Sequence, residues 1–432
     1  MSVVDPLEAP VFIGELEIAE PITGINLPVR QDGRFYKSIR LLVRMQHLPI
    51  GYVLLRPDVL APAMICEQVW RQLSSAINAQ CARSGLAPVA ELPVEGLTAQ
   101  ATVTEEILAA DASQRPLTTV VICTRDRPDS VVVALRGLAA THYSPIEVVV
   151  VDNAPSSDAT RNAVLAEFGD DPRFRYVREP RPGLSCARNR GVAEATGEII
   201  AFTDDDVIID PWWLDGIIRG FQAVPGVGCV TGLIATAEIE NEAQLYFHLR
   251  AGWGTLCERR IFDLDEHRDD SALYPYSAGI FGAGANFAVS RRVFKEVGGF
   301  DEALGAGTPS GGGEDLNMFV RVILGGYRLV YEPSAIVSHV HRTSVGELSR
   351  QMFAYGTGCT AALTALAWGN RRARRELPSK IGNGLLRMLH LTSRVRGNPT
   401  LPAGLIRREV SGLAVGPWLY LQGRRRRRRL TA

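Results

Sequence analysis

From residue 118 onward the chain alternates short apolar runs with stretches of helical spacing. Residues 119–123, 146–151, 174–177, 198–202 and 227–231 read as strands. Residues 128–139, 157–168, 183–195 and 211–221 lie between them and read as helices, with Pro128 suited to a first turn. Strands that are apolar along their whole length suit a sheet covered on both faces. The alternation predicts an α/β fold, a mostly parallel sheet sandwiched by helices with right-handed crossovers.

The first 110 residues have another rhythm. Strands are expected over 11–13, 39–43 and 51–55, then a helix over 61–83, where Ile65, Val69, Leu73 and Ile77 recur one turn apart. This is a small N-terminal α+β domain without a catalytic constellation, and residues 87–115 read as its linker. Past Gly232 the alternation stops, and a loop-rich region runs to 276. The glycine-rich 305–313 reads as a mobile loop, 314–324 as a helix stopped by Gly325-Gly326, and 327–331 and 335–338 as strands. Three regions result: 1–110, a main domain over 116–344, and a helical region over 345–432.

Composition adds one asymmetry. The 432 residues are 46% hydrophobic and 22% charged, as in an ordinary soluble protein with a sizeable core. Net charge is zero, yet residues 371–432 hold sixteen Arg or Lys against Glu376 and Glu409. The Arg424–Arg429 run is expected to be disordered without a partner, and an anionic membrane surface is the first candidate partner. Nucleic acid would satisfy the charge, but no nucleic-acid motif accompanies it. The seven cysteines form no CxxC pair and read as reduced thiols. The N-terminus lacks a signal pattern, and no apolar run reaches the roughly 18–20 residues of a spanning helix. These signals predict a cytoplasmic protein, peripheral at the inner face of the cell membrane through its tail.

In open α/β sheets ligands gather beyond the carboxyl ends of the strands. There the first strand of the main domain runs into Thr124-Arg125-Asp126-Arg127, the second into Asp152-Asn153, and the fourth into Asp204-Asp205-Asp206. Three adjacent carboxylates repel one another and need a cation or open water. A divalent metal holding a diphosphate meets that need, since Mg²⁺ and Mn²⁺ prefer oxygen ligands; a solvated acidic turn meets it too. Asp152 suits a ribose, a base or a turn cap. His339 and His341, two apart on an extended segment, face the same way, and one can complete a metal shell. Glu314-Asp315 open a helix, where acids are favoured in any case, but a carboxylate behind a glycine-rich hinge can reach a substrate as general base. Arg188, early in its helix, can face a diphosphate.

Taken in order, these segments resemble the family 2 glycosyltransferases, inverting nucleotide-sugar transferases of the GT-A fold. The resemblance covers residues 118–341. It rests on Ile122-Cys123-Thr124-Arg125-Asp126-Arg127, Val151-Asp152-Asn153, Gly183-Leu184-Ser185-Cys186-Ala187-Arg188-Asn189-Arg190-Gly191, Phe202-Thr203-Asp204-Asp205-Asp206, and Gly313-Glu314-Asp315 with Arg321. It implies that Thr124 and Arg125 lie along the nucleotide, Asp152 at the base or ribose, and Arg188 and Asp205 on the donor. Asp204 and Asp206 would bracket a DxD motif for Mn²⁺ or Mg²⁺, with His339, ahead of His341, near the metal. Asp315 would be the catalytic base with Glu314 beside it, and Gly284 and Asn286 would line the donor sugar and acceptor.

The implied reaction moves a sugar from a nucleotide-diphospho-sugar, UDP on family frequency, to a hydroxyl of a glycan or lipid-linked acceptor, as in cell-envelope polysaccharide synthesis. Two other classes compete. A sugar-1-phosphate nucleotidyltransferase would carry a glycine-rich phosphate loop after the first strand, and residues 123–127 have no glycine. A non-catalytic nucleotide-sugar-binding module needs only part of the constellation.

Overall fold

The computed structural model describes residues 7–30, 32–97, 115–251, 253–380, 382 and 404–431. Most of the expected linker, and Arg387, Arg394 and Arg396 of the basic tail, lie outside the described residues. The chain divides into two compact units, Met1–Arg115 with Ala235–Glu258, and Pro116–Ile234 with Arg259–Ala432.

In the first unit, β1 (Val11–Glu17), β2 (Ser38–Met45) and β3 (Leu48–Leu55) form a sheet in that order, β1 parallel and β3 antiparallel to β2. Helix α1 (Pro62–Arg83) buries Ile65, Val69 and Ile77 in one core with Ile39, Leu41 and Val43. The chain returns to this unit after Ile234: Val11 N donates to the Ile239 carbonyl at 2.8 Å, and a helix spans Glu242–Ala251. That helix lies inside the region expected to be loop-rich. Its residues 243–248 are all buried, so no apolar–polar period marks it in the sequence.

The second unit is built on one mixed sheet. In chain order it comprises β4 (Thr118–Thr124), α2 (Pro128–Ala139), β5 (Ile146–Asn153), α3 (Ala159–Phe168), β6 (Phe174–Glu179), α4 (Leu184–Glu194), β7 (Ile199–Asp204), β8 (Val207–Ile209) and α5 (Trp213–Gln222). Then follow β9 (Val227–Thr236), β10 (Arg260–Phe262), β11 (Asn286–Ser290), α6 (Arg291–Val297), α7 (Glu314–Leu324), β12 (Arg328–His339), α8 (Val345–Gly369) and α9 (Gly404–Thr431). The strand order is β10-β12-β9-β11-β7-β4-β5-β6, with β8 paired to β12.

The fold is α/β, as expected, but the sheet is parallel only over β7-β4-β5-β6, the part built by helix crossovers. Beyond β7 it turns antiparallel: β11 opposes β7 and β9, and β12 opposes β8 and β10. Val120, Ile122, Val148 and Val150 share one core with Val131, Leu135 and Leu138 of α2 and with Trp213, Leu214 and Ile217 of α5. Phe202 and Phe287 stack at 4.7 Å, and Phe300 and Phe319 meet this pair edge-on. The two strands expected at 327–331 and 335–338 are one, because Pro333 removes a single donor without interrupting β12.

The Arg424–Arg429 run is the last turns of α9, not a disordered tail. A Cβ on Gly412 would fall 2.4 Å from the Phe353 carbonyl oxygen, and one on Gly416 2.4 Å from the Thr357 carbonyl oxygen, so α8 and α9 touch backbone to backbone. Tyr420 ties α9 to the segment after α6 by donating to Asp301 Oδ2 at 2.8 Å. No described helix is long and apolar enough to cross a membrane.

Candidate active site

Since β7 ends at Asp204 and β8 begins at Val207, Asp205 and Asp206 form the turn between them. Strand β4 aligns two of the acids, with Cys123 opposite Asp204 and Thr124 opposite Asp152. On the other side, β8 sets Val207 opposite His339 of β12, and Val340 N donates to the Asp206 carbonyl at 3.2 Å. Asp204, Asp206 and His339 thereby offer one ligand atom each, all within 4.8 Å of one another. Two carboxylates and one imidazole suit Mn²⁺ or Mg²⁺ and leave coordination positions for phosphate oxygens.

Asp205 turns away from this cluster. Its Oδ2 accepts from Thr124 Oγ1 at 2.7 Å and its Oδ1 from Arg127 Nη1 at 2.8 Å. Arg127 Nη1 also lies 3.2 Å from Asp206 Oδ2, and Arg342 Nη2 lies 3.4 Å from the same oxygen. Arg127 and Arg342 are the cations that three adjacent carboxylates need. The sequence places Arg127 with Arg125 in the loop that ends the first strand of the main domain, and gives no role to Arg342 beside His341. Arg125 stays half exposed, 3.7 Å from Asp126.

The two metal-type carboxylates are held apart electrostatically. Burial pushes Asp204 up to about 6, reinforced by the Asp206 charge and opposed by Arg188. Burial would also raise Asp206, but the His339 hydrogen bond and the Arg127 and Arg342 charges hold it down at about 2. His339 Nε2 sits 3.3 Å from Asp206 Oδ1; burial disfavours charge on the ring, and Asp206 outweighs that and raises its pKa.

Arg188 links this cluster to the next. It is 2% exposed and lies 5.5 Å from the ring centroid of Phe287. Its guanidinium donates to Glu314 Oε1 at 2.8 Å and to the Gly284 carbonyl at 2.9 Å, and lies 3.5 Å from Asp204 Oδ1. Gly313, at φ +91°, turns the chain into α7 and so presents Glu314 and Asp315 together. Glu314 is buried against Arg188, whereas Asp315 is partly exposed. A Cβ on Gly284 would lie 3.0 Å from both Arg188 Nη2 and Asp315 Oδ2, so a glycine is what lets the two groups meet there.

Two other expected residues have distinct settings. Asp152 is buried, with Oδ2 accepting from the Tyr176 hydroxyl at 2.8 Å and Oδ1 without a protein partner, and burial raises its pKa. That open acceptor is available to a ligand hydroxyl or N–H. Asn286 has no such freedom: Nδ2 donates to the Leu233 and Ala335 carbonyls at 2.9 and 2.8 Å, and Oδ1 accepts from Trp213 Nε1 at 2.8 Å. With 0% exposure it braces three strands and α5 instead of lining a sugar site.

Glu314 yields a pH prediction. Burial, with the Asp315 charge, pushes it up to about 7 from an ordinary 4.5, against the pull of Arg188. Between those values the native state keeps a proton that the unfolded chain has released, so this group's contribution to stability falls as pH rises through the window. The melting temperature of wild type relative to Glu314→Gln is expected to drop from pH 4.5 to 7 and level off above. A difference that stays flat would remove the buried-acid assignment.

Residues 119–298 match the family model for glycosyl transferase family 2. The pre-mycofactocin glycosyltransferase of Mycobacterium tuberculosis is 28% identical over 273 residues, 62% of this chain and 51% of that protein. The chain thus spans about half the length of that relative. The glucosyl-dolichyl phosphate glucuronosyltransferase of Haloferax volcanii is 27% identical over 51% of this chain and 68% of its own. Among solved structures, the mannosyltransferase PcManGT from Pyrobaculum calidifontis, in complex with GDP-Man and Mn²⁺, aligns at 18% identity with a TM-score of 0.45 over 83% of this chain and 98% of that one. The matched residues 119–298 hold Asp152, Arg188 and the Asp204-Asp205-Asp206 turn, and in these the chain is similar to glycosyl transferase family 2; the Glu314-Asp315 helix start and His339 lie past the match.

Proposed function

We propose that this protein is an inverting, metal-dependent glycosyltransferase that moves a sugar from a nucleotide-diphospho-sugar to an acceptor hydroxyl. The observation that carries the reading is the pairing of two acid sites through Arg188: Asp204, Asp206 and His339 on one side, Glu314 and Asp315 on the other. A divalent ion held by Asp204, Asp206 and His339 would neutralise charge on the departing nucleoside diphosphate. Asp152 takes a hydroxyl or N–H of the nucleoside through its open oxygen, next to Thr124 at the same sheet edge. Asp205 braces the metal turn from behind.

Asp315 accepts the proton of the acceptor hydroxyl while that oxygen bonds to the anomeric carbon and the bond from carbon to phosphate oxygen breaks. The displacement passes through one step and inverts the anomeric centre. Glu314 acts on Asp315 only indirectly, by anchoring Arg188 and the start of α7. In this reading residues 116–344 hold the chemistry, and residues 1–110 serve an accessory role. The donor is a UDP-sugar, the acceptor a glycan or a lipid-linked sugar in cell-envelope polysaccharide synthesis, and the basic C-terminal region keeps the enzyme beside a membrane.

The test is nucleoside diphosphate release from a panel of UDP-, GDP- and dTDP-sugars, with Mn²⁺, with Mg²⁺ and with chelator. Release of one nucleoside diphosphate only with a divalent ion is expected. Pyrophosphate formation from a sugar 1-phosphate and a nucleoside triphosphate would overturn the reading in favour of nucleotidyl transfer.

A further inference from the structure

The six arginines of residues 424–429 divide between faces of α9. Arg424 lies 4.9 Å over the Trp368 ring and donates to the Tyr420 hydroxyl at 3.2 Å. Arg427 pairs with Glu302 and donates to Cys186 Sγ at 3.1 Å. Both hold the helix to the body of its unit. Gln422, Arg425, Arg426 and Arg429 stand at positions i, i+3, i+4 and i+7, which one helix face gathers together. With Pro309 they line a cavity of about 420 Å³. All three arginines are exposed, and among the described residues none of them meets a carboxylate.

Three like charges one turn apart repel, and no carboxylate among the described residues pairs with them. Their wall is also fixed: Pro309 precedes Ser310, whose carbonyl accepts from Thr357 Oγ1 of α8 at 2.5 Å. Guanidinium forks match phosphate oxygens in pairs, and a concave, walled site suits a compact anion better than a flat surface does. We propose that Arg425, Arg426 and Arg429, with Gln422 and Pro309, form a phosphate-binding site that takes a phosphate or diphosphate group. The metal-type cluster contributes nothing to this site, so the inference stands apart from the transfer chemistry. A phosphate free in solution and one at the head of a lipid share this chemistry, and the two arms of the experiment distinguish them.

The experiment uses the full chain with chelator present, so that no divalent ion recruits the anion elsewhere. Inorganic diphosphate is titrated calorimetrically into wild type, into Arg425→Gln/Arg426→Gln/Arg429→Gln, and into the control Arg350→Gln/Arg371→Gln/Arg375→Gln. Glutamine keeps most of arginine's helix propensity, and circular dichroism checks that α9 persists. The cavity triple variant is expected to bind about tenfold more weakly or worse, with the control within about threefold of wild type. Equal affinity in wild type and the cavity variant, equal loss in both variants, or no binding by wild type would each overturn the site.

A second arm sediments phosphatidylcholine vesicles with and without phosphatidic acid. Capture by phosphatidic acid that diphosphate reverses assigns a lipid phosphate to the site. Diphosphate binding without vesicle capture assigns a soluble one. Vesicle capture that diphosphate does not compete, and that the cavity variant retains, counts against a discrete site. Nucleotide release by the same variants reports separately on the glycosyltransferase reading.

Discussion

Asp315→Asn is expected to abolish sugar transfer and leave donor binding intact. The substitution keeps the outline of the side chain and the acceptor oxygen that takes the Leu316 N–H at 2.8 Å, so the start of α7 should survive it. It removes the basic oxygen alone. General-base contributions are on the order of 10²- to 10⁴-fold, and a loss of that size should appear in nucleoside diphosphate release under saturating donor and acceptor. Glu314 is the natural rival, being adjacent and also acidic. Yet its carboxylate is buried against Arg188, and desolvation has already pushed it up to about 7. A base must reach a substrate proton, and the partly exposed Asp315 can. Turnover of Asp315→Asn within about threefold of wild type would remove it from that role.

How far the sequence reached depended on what each residue's neighbours look like along the chain. Strands β4, β5 and β7 are apolar on both faces and separated by helices, so the strands themselves and their ligand-facing ends could be read directly. The antiparallel half could not, because β9, β11 and β12 are joined by long connections of helices and loops that carry no signal of which strand pairs with which. The acidic run was visible, but its division of labour depends on a turn: Asp204 closes β7, while Asp205 folds back onto Thr124 and leaves Asp206 for His339. The pairing of β8 with β12 sets that geometry across a long stretch of chain.

Arg127 and Arg125 are equally plausible on paper. Only the approach into α2 decides that Arg127 reaches the acids and Arg125 stays half exposed beside Asp126. Asn286 misled for the opposite reason: its position beside Gly284 suggested a ligand contact, whereas three buried partners had already claimed its amide. In the tail, composition concealed structure. Six arginines look like low complexity, but the docking information lies upstream, in Gly412, Gly416 and Tyr420.

Asp206→Ala separates the metal from the charge around it. Asp206 meets His339, Arg127 and Arg342, so its removal deletes a candidate ligand and frees Arg342, while Arg127 keeps Asp205. The two effects oppose each other for a diphosphate. The divalent-dependent part of donor affinity is expected to fall on the order of a hundredfold, since even residues supporting a metal ligand typically cost 10- to 100-fold. Affinity with chelator present is expected to hold or rise, because Arg342 then faces the phosphates without a competing carboxylate and one negative charge is gone. Titrating the donor that the panel identifies into wild type and variant, with Mn²⁺ and with chelator, gives four affinities and one decisive ratio. In wild type Mn²⁺ should strengthen binding strongly; in Asp206→Ala the two conditions should converge. If Mn²⁺ strengthens binding equally in both proteins, Asp206 is not a ligand, and its work is confined to pairing the cations that surround it.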